Sequence, residues 1–158
     1  ALALPCDVGD AAAVERAIVT IGDLLGAAPD MVVSNAGLFA LARIEATTAE
    51  HFVAALQVNL VAPFRLMRAF LPAMRERGSG HLVTIGSIAD RATFPENAAY
   101  AACKFGARAL HQVLREETRG SVVRATLVSP SAVDTPLWDP VGPDLRPVLP
   151  PPPVPGRI

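Results

Sequence analysis

Apolar residues in this chain fall into two kinds of stretch that alternate along it. Short, nearly solid apolar runs occur in "ALALPC" (1–6), "DMVVSNAG" (30–37), "HLVTIGS" (81–87) and "VVRATLVSP" (122–130). They are rich in branched residues and short enough for strands. Between them the apolar positions are periodic. Val14, Ile18, Ile21 and Leu25 recur every three or four residues, with Asp10 placed as an N-cap and Gly26 as a stop, which predicts an amphipathic helix. Thr47 and Glu50 have the spacing of a capping box and open a helical stretch to about Arg77. Pro63 and Pro72 lie inside that stretch and should bend or divide it. A further helix is predicted over about 97–118.

Strands that are apolar throughout, rather than at alternate positions, and that are separated by helices predict a parallel sheet covered on both faces. The fold class expected is α/β, a doubly wound sheet of Rossmann type. Ligands of such folds bind outside the carboxyl ends of the strands. Asp7, Asn35, Ser87 and Pro130 all fall at such ends. From Asp139 to Ile158 the chain changes character: prolines dominate, periodicity is lost, and an irregular tail is expected. Residues 1–138 are therefore read as one domain and 139–158 as a proline-rich, irregular tail.

Composition narrows the picture. The aromatic content is 5% against 51% hydrophobic, so the core must be built from Ala, Val and Leu. A formal net charge of -1 offers no electrostatic footprint for nucleic acid or an anionic membrane. No apolar run has the length of a membrane span. Cys6 and Cys103 form no CxxC pair, which suits a reduced, cytoplasmic setting. His51, His81 and His111 lack ligand spacing, and no metal is expected.

One stretch carries candidate chemistry. In "YAACK", Tyr100 is the single tyrosine and Lys104 the single lysine, beside 13 arginines. Their i,i+4 spacing puts both on one helix face, and a lone lysine would fall there by chance only about once in 150. A free phenol, with a pKa near 10, is a poor base at neutral pH. A cation beside it stabilises phenolate. Lysine, a compact ammonium with several donors, suits that task better than a planar guanidinium. Ser87, at a strand end, could donate to a carbonyl or hydroxyl oxygen. Together these groups make a proton-transfer site for an alcohol/carbonyl pair.

Asp7 could otherwise be a turn residue or helix cap, and Asn35-Ala36-Gly37 a plain strand-to-loop turn. Asn59 is mildly unfavourable within a helix, which argues for a specific role.

In order and spacing these segments resemble the short-chain dehydrogenase/reductase family, from residue 1 to about 147. "CDV" (6–8) is similar to the family's strand-end aspartate that contacts adenine, implying roles for Asp7 and Val8. "SNAG" (34–37) resembles its NNAG motif, with Ser34 in place of the first Asn, implying that Asn35, Ala36 and Gly37 border the cofactor. "VNL" (58–60) matches the family's catalytic asparagine at Asn59, thought to hold a water in a proton relay. "GS" (86–87) supplies the serine and "YAACK" the Tyr and Lys. "SPSAVDT" (129–135) resembles the PGxVxT stretch at the nicotinamide, implying contacts from Pro130, Val133 and Thr135, although Ser131 replaces the usual glycine. The resemblance implies hydride transfer between NAD or NADP and an alcohol or ketone. Tyr100 would act as acid/base, Lys104 would bind the ribose hydroxyls as well, Ser87 would orient the oxygen, and Asn59 would link the relay to solvent. It also implies a homodimer or homotetramer formed through the helices near 48–77 and 97–118, with Ala101, Ala102, Gly106, Ala107 and Ala109 allowing close approach.

The family's opening strand and TGxxxGxG loop, whose N–H groups receive the pyrophosphate, have no counterpart in these 158 residues. An incomplete fold is therefore expected, lacking the first two strands and this loop, and the chain is read as an N-terminally truncated piece. Residues 1–6 would then lack strand partners, and the "MVV" strand would expose an edge. Two other readings remain. One is a non-catalytic Rossmann-fold scaffold. The other is a nucleotide-sugar epimerase, against which the NAG motif and the lack of a substrate domain both count. Pro136, Leu137 and Trp138 suggest an apolar lid.

Overall fold

The computed structural model describes residues 1–131. Its first helix, α1 (Ala11–Leu25), starts where the polar pattern predicts: the Asp10 side chain accepts from the Ala12 N–H. It stops at Gly26, which takes the left-handed conformation (φ 65°) that favours glycine. Strand β1 (Met31–Ser34) follows. After a loop and a short 3₁₀ turn at Ile44–Ala46, helix α2 (Ala49–Leu56) begins. Its cap is Thr48, one residue later than the capping-box reading places it. The Thr48 hydroxyl accepts from the His51 N–H, while Thr47 ends the 3₁₀ turn before it.

The long helical stretch divides as its prolines suggest. α2 passes into a π-helical segment, Gln57–Val61, and then into α3 (Ala62–Arg77). Pro63, in the first turn of α3, has no N–H to return to the Asn59 carbonyl four residues back, so regular α-helical bonding must break there. Pro72 lies inside α3 without ending it. Strand β2 (Gly80–Ile85), a 3₁₀ turn at Ile88–Asp90, helix α4 (Ala98–Glu117) and strand β3 (Val123–Val128) complete the described chain.

The sheet is parallel, in the order β1-β2-β3. Its register aligns Val32, Leu82 and Ala125 in one row. These meet Ile18 and Ile21 of α1, Met67, Phe70 and Met74 of α3, and Leu110 and Leu114 of α4 in a single core. The opposite face carries Met31, Val33 and Val128, all substantially exposed. Strands that are apolar on both rows therefore have helices over one face among the described residues, which is the incomplete doubly wound arrangement expected.

Residues 1–6 form no strand. In the doubly wound order two further strands would separate this run from β1, so its ladder partners are not among the described residues and the outer edge of β1 stays unpaired there, as expected. Val133, Thr135, the Pro136–Trp138 segment and the proline-rich tail lie outside the described residues.

Candidate active site

The carboxyl ends of β1, β2 and β3 place Asn35, the Gly86-Ser87 pair and the Ser129-Pro130 pair along one edge of the sheet. The β2 and β3 ends are joined beyond the ladder: the Gly86 N–H donates to Val128 O (2.7 Å) and the Ile88 N–H to Pro130 O (2.8 Å). α4 packs against the 3₁₀ turn that follows Ser87 and against the π-helical segment that carries Asn59. Four of the candidate residues, Asn59, Ser87, Tyr100 and Lys104, thereby stand on α4 or on or beside segments packed against it.

Tyr100 is partly buried. Phe39 packs edge-on against its ring, with centroids 4.9 Å apart. Nothing in the sequence marks Phe39 for this role; it lies two residues beyond the "SNAG" stretch, and only the path of the loop brings it to α4. The Lys104 ammonium lies over the same ring, 5.3 Å from its centroid, and donates to the Ile85 carbonyl at the end of β2 (2.9 Å). The lysine is thus a strut between helix and sheet as well as a charge beside the phenol.

Titration behaviour departs from the sequence expectation. Burial pushes the Tyr100 phenol above its ordinary value; a hydrogen bond with Ser87 pulls the other way and is outweighed. Burial also lowers Lys104, against the opposing influence of Cys103 and Asp90. The phenol depressed by its neighbouring lysine, expected from the i,i+4 spacing, is not what this structure holds. Desolvation acts on both members of the pair and favours their neutral forms. The buried Cys103 thiol is raised for the same reason.

Asn59 is 2% exposed and its amide is fully engaged. Nδ2 donates to Leu38 O (2.8 Å) and to Ala55 O (3.0 Å), and Oδ1 accepts from the Leu38 N–H (3.2 Å). The side chain ties the loop after β1 to the helix. Gly37 passes so close that a Cβ there would lie 3.1 Å from Asn59 Oδ1.

Asp7 is exposed, and its carboxylate accepts from the Gly9 N–H (2.9 Å) within the turn that leads into α1. The plain turn reading of Asp7 therefore describes its contacts here. Val8 is half-buried in the same turn, whose Gly9 approaches Val58. Asn35, Ala36 and Gly37 are exposed at the sheet edge. Pro130 is half-buried, its carbonyl held by Ile88.

The donor set suits a nicotinamide nucleotide at this edge. Among the described residues Lys104 gives one hydrogen bond, to Ile85 O, of the three that an ammonium can donate. Asn35, Ala36 and Gly37 form an exposed stretch at this edge in which two of the three residues carry little or no side chain. No glycine-rich pyrophosphate cradle occurs in the sequence.

The small residues of α4 do not all face outward. Ala101 and Ala107 are buried within the chain, and a Cβ on Gly106 would meet Leu60 of the π-helical segment at 3.0 Å. These three serve packing inside the chain, leaving Ala102 and Ala109 of the predicted set exposed.

Residues 1–146 match the sequence model of the short chain dehydrogenases. The sepiapterin reductase of Chlorobaculum tepidum is 32% identical over 146 residues, 92% of this chain and 59% of that protein. A short-chain dehydrogenase from Streptomyces avermitilis superposes with a TM-score of 0.79 at 31% identity, over 84% of this chain and 48% of that one. A metagenomic short-chain oxidoreductase crystallised with NADP superposes at 0.75 with 33% identity, over 81% of this chain and 59% of that one. The chain spans about half the length of the relatives it matches.

Proposed function

The chain belongs to the short-chain dehydrogenase/reductase family, and from that premise we propose that the whole protein is an oxidoreductase acting on an alcohol/carbonyl pair with NAD or NADP. The observation that carries the reading is the convergence of Tyr100, Ser87 and Lys104 at the carboxyl edge of a parallel sheet. A bound nicotinamide would supply the hydride acceptor or donor.

The chain's own residues do the rest. Tyr100 gives its phenolic proton to, or takes one from, the substrate oxygen. Its raised pKa keeps it protonated at neutral pH, the form needed for donation in carbonyl reduction. Ser87 orients the same oxygen. Lys104 keeps helix α4 against the end of β2 and directs its spare donors at ribose hydroxyls. Asn59 acts through the backbone: by holding Leu38 it sets the loop that carries Phe39 onto Tyr100. Asp7, Val8, Asn35, Ala36, Gly37 and Pro130, with Val133 and Thr135, border the cofactor in this reading. Self-association through α2, α3 and α4 belongs to it as well, supported by the exposed Val53, Phe64, Phe105 and Val113. Sizing of the intact protein as a monomer would refute that part.

The test is NAD(P)H oxidation by the intact protein over a panel of aldehydes and ketones, with Tyr100→Phe alongside. Turnover should fall by roughly 10²–10⁴ in the variant while cofactor binding persists. Wild-type turnover by Tyr100→Phe, or no binding of either cofactor, would sink the proposal.

A further inference from the structure

Outside the Tyr-Lys-Ser set, the described residues contain one fully buried carboxylate, Asp90, which is 0% exposed. Its two oxygens reach three separate elements. Oδ1 accepts from Arg91 Nε (2.7 Å) and lies 3.6 Å from Arg108 Nη1 on α4, one turn beyond Lys104. Oδ2 accepts from the Ser129 hydroxyl at the end of β3. The backbone takes part: the Asp90 N–H donates to Ser87 O (3.0 Å), while Ser87 Oγ accepts from the Ala89 N–H (3.1 Å). The space is closely filled, since a Cβ on Gly86 would lie 2.8 Å from Asp90 Oδ2 and 2.9 Å from Ser129 Oγ. Burying a carboxylate is costly unless it is hydrogen-bonded and paired, and here it is both.

We propose that Asp90 is a positioning residue that clamps the Ser87 turn to the end of β3 and to α4, and so sets Ser87 against Tyr100. The inference rests on the reading of Ser87 and Tyr100 as the proton-handling pair. Burial alone would raise the Asp90 carboxyl, but the Arg91 and Ser129 hydrogen bonds, the Arg91 charge and the Ser87 backbone N–H together hold it below the ordinary range, so it stands ionised at neutral pH. The charged groups near it are Arg91, Arg108 and Lys104, from its own turn and from α4.

Positioning and simple electrostatics predict opposite signs. Loss of a nearby negative charge by itself makes phenolate easier to form and lowers the Tyr100 pKa. Loss of the clamp frees Ser87, removes a hydrogen bond that favours phenolate, and raises it. The experiment is ¹³Cζ-tyrosine NMR titration of the folded protein, with the Tyr100 resonance assigned by its loss in Tyr100→Phe. Asp90→Ala should move the midpoint up by about half to one pH unit. Asp90→Asn keeps an acceptor oxygen without the charge and should bring the midpoint back to wild type or slightly below it. Ser129→Ala cuts one arm without exposing a buried charge and should give a smaller upward shift, so it serves where Asp90→Ala does not fold. A downward or unchanged midpoint in Ser129→Ala and in folded Asp90→Ala overturns the proposal. No cofactor enters the measurement, so its failure is separable from failure of the turnover assay.

Discussion

Asn59 and Leu38 pair like two residues of a strand ladder: the amide of Asn59 gives one hydrogen bond to the Leu38 carbonyl and takes one from its N–H. A side chain on a helix thus stands in for a backbone neighbour and holds the loop that leaves β1. The π-helical segment supports this arrangement, because Pro63 interrupts regular bonding at the Asn59 carbonyl.

Asn59→Asp tests that pairing. A carboxylate cannot donate to Leu38 O or Ala55 O, and it would be buried against both carbonyls. The expected loss is about 2–4 kcal/mol, read as a lower urea midpoint at unchanged slope. An unaffected midpoint would show that the loop is held by other contacts.

Tyr100 and Lys104 should give stability opposite slopes with pH. The folded state holds the Tyr100 proton more tightly than the unfolded chain does. Its contribution is therefore complete below the ordinary value near 10 and falls as pH rises from there to the raised folded pKa. Lys104 is lowered, so the unfolded chain binds more protons between the folded value and about 10.4, and stability rises with pH across that window. Urea midpoints against pH for Tyr100→Phe and Lys104→Met should remove the falling and the rising component respectively. If Tyr100→Phe leaves the alkaline decline intact, another group causes it.

Lys104→Met also cuts the bond to Ile85 O that joins α4 to the end of β2. The carbonyl is left to find another donor, at a cost of about 1–3 kcal/mol at neutral pH, part of it recovered by burying an apolar side chain in place of a desolvated ammonium. Lys104→Arg should not restore wild-type stability, because a planar fork is larger and cannot reproduce a point donor in the same space. Thermal melts of the two variants decide the matter; a wild-type Tm for Lys104→Arg would refute it.

Gly86→Ala should destabilise by about 1–3 kcal/mol, because its Cβ would meet Asp90, Ser129 and Leu127 all within 3.1 Å. Adding Asp90→Ala opens part of that space, so the double variant should lose less than the sum of the two single changes. Strict additivity in denaturation would mean that the crowding is relieved elsewhere.

Much of this protein was legible in the amino-acid order because the relevant physics is local. Helix spacing put Tyr100 and Lys104 on one face, Asp10 and Gly26 marked the ends of α1, and Pro63 marked a break. Solid apolar runs located β1, β2 and β3, and with them the edge where Ser87 and Pro130 stand. What local rules could not supply is anything that depends on residues distant in sequence meeting. Burial is such a property: the spacing of Tyr100 and Lys104 suggested a depressed phenol, yet desolvation by surrounding elements raises it. The same holds for Asn59, whose partner Leu38 lies 21 positions away, and for Asp90, whose partner Ser129 lies 39 away. A carboxylate three residues after a serine looks like an ordinary turn until packing encloses it. The order of residues determined which chemical groups stand at the sheet edge. Only tertiary structure decided how dry that edge is, and so which protons its groups hold, because desolvation is set by the whole shell of neighbours and not by any one of them.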